Sequence, residues 1–229
     1  MVSASACLLT VSILGSAVVL GYKAYRRYEM KSRVRGFISS LENRTPEELV
    51  DRAEELKQRP KVAQYILPEL KRAMANARSE GQLCAAIEIS RAFISHHSIE
   101  RALFDLRRDP RETVASLAVS VLAQAQPPEH AAKLLGECLD GANAAEVADA
   151  VVDEVCAGLL RLGEPGLAEM KMRIGLLGPD RRVWIAGYVN AVGGPYRRLW
   201  LDMLLADAEP RVRDAAAKAL AEDRVAAGS

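Results

Sequence analysis

The stretch "LADAEPRVRDAAAKALAE", residues 205–222, decides how the rest of the chain reads. Glu209-Pro210 marks a turn that opens a helix, because proline has no N–H to lose at the first helical position. Val212, Ala215, Ala216, Ala219 and Leu220 then recur at helical spacing and form one apolar face. That face is largely alanine, so a neighbouring helix can come close. Arg211, Arg213, Asp214 and Lys218 fall mostly off it. Seen alone, the Arg-x-Arg looks like a ligand site. In this setting it is the polar edge of a packing helix.

The same punctuation recurs upstream. Asp109-Pro110, Pro127-Pro128, Asp140-Gly141, Gly163-Glu164-Pro165, Pro179-Asp180 and Gly194-Pro195 mark successive turns. The stretches between them carry apolar residues at helical spacing. Such short connections make neighbouring helices antiparallel, so helices should stack in pairs. Nearer the start, Thr45 with Glu48 forms a capping-box pattern ahead of a helix that should stop near Arg59-Pro60. Pro68 is expected to break or kink the next helix. Gly81 is expected to end it, and "QLCAAIEISRAFI" (82–94) should begin another.

The pairs repeat. "RLGEPGLAEMKMRIGLLGPDRRVWIAGY" (161–188) is followed by "AVGGPYRRLWLDMLLADAEPRVRDAAAK" (191–218). Gly163 and Pro165 precede Gly193 and Pro195 by 30 residues, and Val183 precedes Val212 by 29. Val114, Ala118 and Leu122 match Val212, Ala216 and Leu220 in spacing. A period near 30 with two helices per unit is the signature of an α-solenoid. Composition agrees: half of the 229 residues are hydrophobic but only 5% are aromatic, and no hairpin signal or alternating apolar run is present. The expected fold is all-α, a right-handed solenoid of antiparallel helix pairs.

"DAEPRVRDAAAKAL" resembles the second-helix signature of HEAT repeats, in particular the short type of phycobilin lyase-like proteins. The resemblance is clear over 205–222 and weaker upstream. In "DRRVWIAGYVNAV" (180–192), Trp184 and Tyr188 replace the small alanines. The resemblance implies that Arg213 hydrogen-bonds an acid or carbonyl of the preceding turn. It also implies a HEAT/armadillo-like fold and admits a bilin- or other ligand-binding role, but it names no site for one. As the last copy, 205–222 is expected to close the array with a polar outer face carried by Arg211, Arg213 and Lys218.

The N-terminus adds a second element. "SASACLLTVSILGSAVVLGY" (3–22) carries no charge and matches the ~30 Å thickness of a bilayer core as a helix. The basic residues follow it rather than precede it, as in an anchor rather than a cleaved signal peptide. Residues 23–35 hold six basic residues and one acidic, which leaves 25 basic against 29 acidic in residues 36–229. The positive-inside tendency then puts the bulk of the chain in the cytoplasm and the short N-terminus outside, as at a bacterial inner membrane. An outer mitochondrial anchor would carry the same pattern. Lys23, Arg26, Arg27, Lys31, Arg33 and Arg35 are candidate contacts for lipid headgroups. Tyr22, Tyr25 and Tyr28 fit an interfacial belt. The expected organisation is an anchor at 1–22, a basic segment at 23–44 and a helical-repeat domain at 45–229. A mildly acidic body is a poor generic nucleic-acid binder, so none is expected as a partner.

No catalytic constellation stands out, and no enzyme, cofactor or metal is expected. His96 and His97, if both helical, point ~100° apart, and His130 stands alone in the sequence. Cys7, Cys84, Cys138 and Cys156 form no Cys-x-x-Cys and read as small buried hydrophobes. Glu47-Glu48 and Asp153-Glu154 read as solvated helix faces. The strongest interaction candidate joins Arg181, Arg182, Trp184 and Tyr188 to Tyr196, Arg197, Arg198 and Trp200, since Trp, Tyr and Arg dominate binding hot spots. The four arginines are expected to be exposed. The expected function is a membrane-anchored scaffold that binds a protein partner. A ligand-binding HEAT protein and a self-associating membrane component are the rivals.

Overall fold

The computed structural model describes residues 24–38, 40, 44–58, 60–140 and 149–226. Among these the chain is all-α, with twelve helices packed in sequence and no strand. Contacts divide it into two compact units that meet at Ala86/Ile87, inside one helix. The apolar run 3–22, together with Tyr22 and Lys23, lies outside the described residues. Among those described, no helix is long and apolar enough to cross a membrane.

The first unit holds α1 (24–38), α2 (Pro46–Lys57), α3 (Pro60–Asn76) and the start of α4 (Glu80–Ser90). Thr45 Oγ1 accepts the Glu48 N–H at 3.3 Å, the cap expected for α2. Pro68 does not break α3. The helix runs through it because the ring sits on the exposed side while Ile66, Leu70 and Met74 are buried. One lost backbone bond is offset by that packing. Gly81 lies in the first turn of α4 and does not end α3, which stops at Asn76. Glu69, 5% exposed, receives Arg35 Nε at 2.9 Å and Arg72 Nη1 at 3.0 Å from both its oxygens. The Arg35 hydrogen bond holds the Glu69 carboxyl below its ordinary value against the opposing effect of burial. Arg35 therefore ties α1 to α3, and Arg33 pairs with Glu29 at 2.7 Å. Arg26 also has an interaction partner, whereas Arg27 and Lys31 are exposed.

The second unit continues α4 and adds α5 (His97–Leu106), α6 (Glu112–Leu122), α7 (Pro128–Leu139), α8 (Asp149–Arg161), α9 (Glu164–Arg173), α10 (Pro179–Val192), α11 (Arg197–Leu205) and α12 (Pro210–Ala226). The expected prolines sit where the physics wants them: Pro128, Pro179 and Pro210 each open a helix. The break at His96 carries no proline or glycine. His96 is extended (φ −88°, ψ 113°) and its carbonyl starts α5, so His96 and His97 are not two residues of one helix. The run Ser95-His96-His97-Ser98 has little helix propensity, and Ile99 and Leu103 bury along a new axis.

Packing follows chain order. From α5 to α9 and from α10 to α12 each helix meets its neighbour, and α6–α8, α7–α9, α9–α11 and α10–α12 also pack as second neighbours. The core is aliphatic, with Val114, Ala118, Leu122, Leu135, Val155, Leu159 and Val189 essentially inaccessible. Each large aliphatic side chain of this kind contributes roughly 1.5–3 kcal/mol. Gly166 marks the tightest approach, because a Cβ there would lie 1.8 Å from the Leu159 carbonyl oxygen. Cys138 and Cys156 are buried, and burial pushes both thiols up to about 12.

Arg213 donates Nη1 to the carbonyls of Asp207 and Ala208, both at 2.8 Å, as expected. Arg182 makes the matching bond, Nη1 to the Leu177 carbonyl, again five residues back. These two locks, and Pro179 and Pro210, are 31 residues apart. The spacing of 29 that pairs Val183 with Val212 therefore does not set the register. The arginine–carbonyl bond does.

Candidate partner-binding surface

Helix α10 begins at Gly178-Pro179 with Asp180 in its first turn, favourable against the helix dipole. Ile185, Ala186 and Val189 face the interior. Arg182 is taken up structurally: besides Leu177 it donates Nη2 to Asp207 Oδ1 at 3.1 Å, and its Nε lies 2.9 Å from Asp207 Oδ2. On the other side Trp184 and Tyr188, one turn apart, stack with ring centroids 4.9 Å apart and planes 21° apart. Trp184 remains 36% exposed. Gly187 between them faces open space.

Across from these rings lies α8. Arg181 reaches Asp149 Oδ1 at 2.7 Å, and the α8 and α10 backbones approach less closely than those of α6–α8 or α10–α12. Asp149, Asp153, Asp180, Arg181 and Trp184 enclose a cleft of about 230 Å³. Burial raises the Asp153 carboxyl, and the neighbouring Asp149 charge adds to this. Asp153 is therefore half-buried in a cleft wall rather than on a freely solvated face. Burial also raises the Tyr188 phenol, with Glu154 adding to it.

The remaining expected site residues divide. Trp200 is fully buried in α11, with no acceptor for its indole N–H among the described residues. Arg197, 8% exposed, donates to the Ala219 carbonyl at 2.7 Å and to Asn190 Oδ1, tying α10, α11 and α12 together. The Tyr196 ring rests on bare Gly163 backbone, where a Cβ would meet it at 2.6 Å; Gly163 holds φ 68°. Arg198 is exposed. The expectation of four exposed arginines is thus corrected. Arg182 and Arg197 serve the fold because backbone carbonyls and Asp207 or Asn190 claim them. What stands at the surface is an aromatic pair beside carboxylates, not beside a row of free arginines.

Two further signals stand in the sequence. Asp149 and Asp153 are four residues apart on α8 and so share a face. His130, alone in the sequence, lies 2.6 Å from Glu100 Oε2, and His97 Nδ1 lies 3.5 Å from Glu100 Oε1. Among the described residues no group of three or more His, Cys, Asp or Glu is arranged to hold a metal ion. Comparison of the chain with family models, curated proteins and solved structures finds no match.

Proposed function

We propose that this chain is a membrane-anchored helical-repeat scaffold whose α8–α10 face binds a protein partner. The single observation that carries the proposal is the stacked, part-exposed Trp184–Tyr188 pair, held where two second-neighbour helices stand apart. A rigid aromatic plate flanked by Asp149, Asp153 and Asp180 suits a basic, partly apolar side chain of a partner, which would stack on the ring and meet a carboxylate. The repeat reading, a right-handed HEAT-like solenoid, draws support from sequential packing and from the arginine–carbonyl lock repeated at Arg182 and Arg213. The anchor reading draws support from the uncharged run 3–22 and the basic residues that follow it. It puts the helical body in the cytoplasm, at a bacterial inner membrane.

The test is recovery of partners from native membranes with wild type and with Trp184→Ala/Tyr188→Ala. The proposal expects the same folded protein by circular dichroism and a defined partner weakened by about 30-fold, the effect of losing a hot spot of ~2 kcal/mol. An unchanged partner set, or a stable homo-oligomer with no other partner, would overturn it. Release of the full-length chain by carbonate would remove the anchor.

A further inference from the structure

We infer that the cleft between α5 and α7 is a binding site for a phosphate-bearing anion. Helix α5 uses Ile99 and Leu103 for the core. Its opposite stripe, Glu100, Arg101 and Phe104, follows the helical period and so forms one continuous face, and Arg107 and Arg108 follow in the turn that ends the helix. Helix α7 turns His130, Lys133 and Glu137 toward it, again at helical spacing. The second-neighbour pairs α6–α8, α7–α9 and α10–α12 close on one another. Here the backbones stand apart, and the two stripes enclose a cleft of about 490 Å³, a size that suits a small molecule. The Glu100–His130 contact at 2.6 Å spans the gap.

The charges do not balance within the cleft. Glu100 is engaged by two imidazoles. Three carboxylates, Glu100, Asp105 and Glu137, stand against four cations, Arg101, Arg107, Arg108 and Lys133, and among the described residues none of these four cations is ion-paired with a carboxylate. Arg107 is the telling one. Its guanidinium lies 3.8 Å over the Phe104 ring and donates Nη1 to the Phe104 carbonyl at 2.6 Å, which fixes its plane. It is half-buried, and burial lowers its pKa from the ordinary value; the Arg108 charge adds to this, while Asp105 and Glu137 oppose it without pairing with it. A partly desolvated cation that no carboxylate pairs directly is unfavourable unless an anion completes it. A fixed guanidinium fork offers two parallel donors, and Arg101, Arg108 and Lys133 add charge around it, which matches a phosphate better than a single carboxylate.

The probe is inorganic pyrophosphate, titrated calorimetrically into the full chain at low salt. Binding should be saturable and should weaken by at least about tenfold in Arg107→Gln, in line with the loss of a charge-assisted pair. Because Arg107→Gln also loses the Phe104 contact, Arg101→Gln/Arg108→Gln/Lys133→Gln, all exposed, provides a second reading and should weaken binding as much. Lys171→Gln/Lys218→Gln, exposed on α9 and α12, should leave binding unchanged. Flotation with phosphatidylcholine vesicles, with and without phosphatidic acid, separates the sources of phosphate. A phosphatidic-acid-dependent gain that the cleft variants lose supports the site with a lipid headgroup as ligand, and pyrophosphate binding without such a gain supports it with a free phosphate compound. The inference is overturned if the wild-type chain responds to neither probe. It is equally overturned if the cleft variants behave as wild type, or if only the Lys171/Lys218 variant loses binding.

Discussion

Helix α10 has two second-neighbour partners and meets them differently. Toward α12 it closes: Val212 and Ala216 are buried against it, Arg197 ties both helices to α11, and Arg182 locks the loop that precedes α12. Toward α8 it stays apart, with Trp184 and Tyr188 in the gap and one exposed ion pair, Arg181–Asp149, across it. The difference is one of side-chain volume. Alanine on α12 admits a close neighbour, whereas an indole and a phenol on α10 hold α8 away and leave a surface. The same helix thus packs closed on one side and leaves a part-exposed aromatic surface on the other.

That comparison can be broken from the closed side. The largest effect is expected from Arg182→Ala, which strips Asp207 of its guanidinium in a place where both side chains are largely buried. Leaving that carboxylate unpaired should cost about 3 kcal/mol, read as a lowered denaturant midpoint. Ala216→Leu should force α12 off α10 and cost about 2 kcal/mol by overpacking, measured the same way. A neutral result would mean that the closeness is not set by alanine.

The open side should behave oppositely. Trp184→Ala removes a part-exposed ring and should cost only about 1 kcal/mol of stability, while partner recovery falls sharply. Asp153→Asn is expected to have the smallest effect, with the reverse sign. A carboxyl raised in the folded state favours its protonated form, so folding loses stability as pH rises from the unfolded value through the raised one. At neutral pH the amide should therefore be as stable as wild type or more stable by roughly 0.5 kcal/mol, allowing for partial exposure, and the difference should vanish below the carboxylate range. Thermal melts at two pH values measure this. The carboxyls of Glu69 and Asp109 are lowered by Arg35 and Arg111, so their contribution runs the other way: present above the ordinary carboxylate range and lost in acid.

Much of this architecture was legible in the sequence because it is written in local chemistry. Prolines that open helices, the Thr45 cap, and the alanine face of 212–220 act through neighbours a few residues away. Gly163 and Gly193, 30 residues apart, adopt nearly the same φ, 68° and 69°. Misreadings arose where a distant group decided the outcome. Pro68 was tolerated because the surrounding apolar face packs. The break at His96 carries no proline or glycine. The fate of each arginine depended on which carbonyl the fold brought within reach, so Arg182 and Arg197 could not be told from Arg198 by composition. The Glu100–His130 contact joins residues 30 apart, and only the two turns that flank α6 bring them together.

The measurement that bears most directly on the proposed role is site-specific photocrosslinking in native membranes, with a photoreactive side chain at Tyr188 on the open face and another at Ala217, exposed on α12. The account predicts a discrete protein adduct from position 188 that Trp184→Ala abolishes, and none from position 217. Equal adducts from both positions, or no adduct from 188 while the chain remains folded, would contradict it.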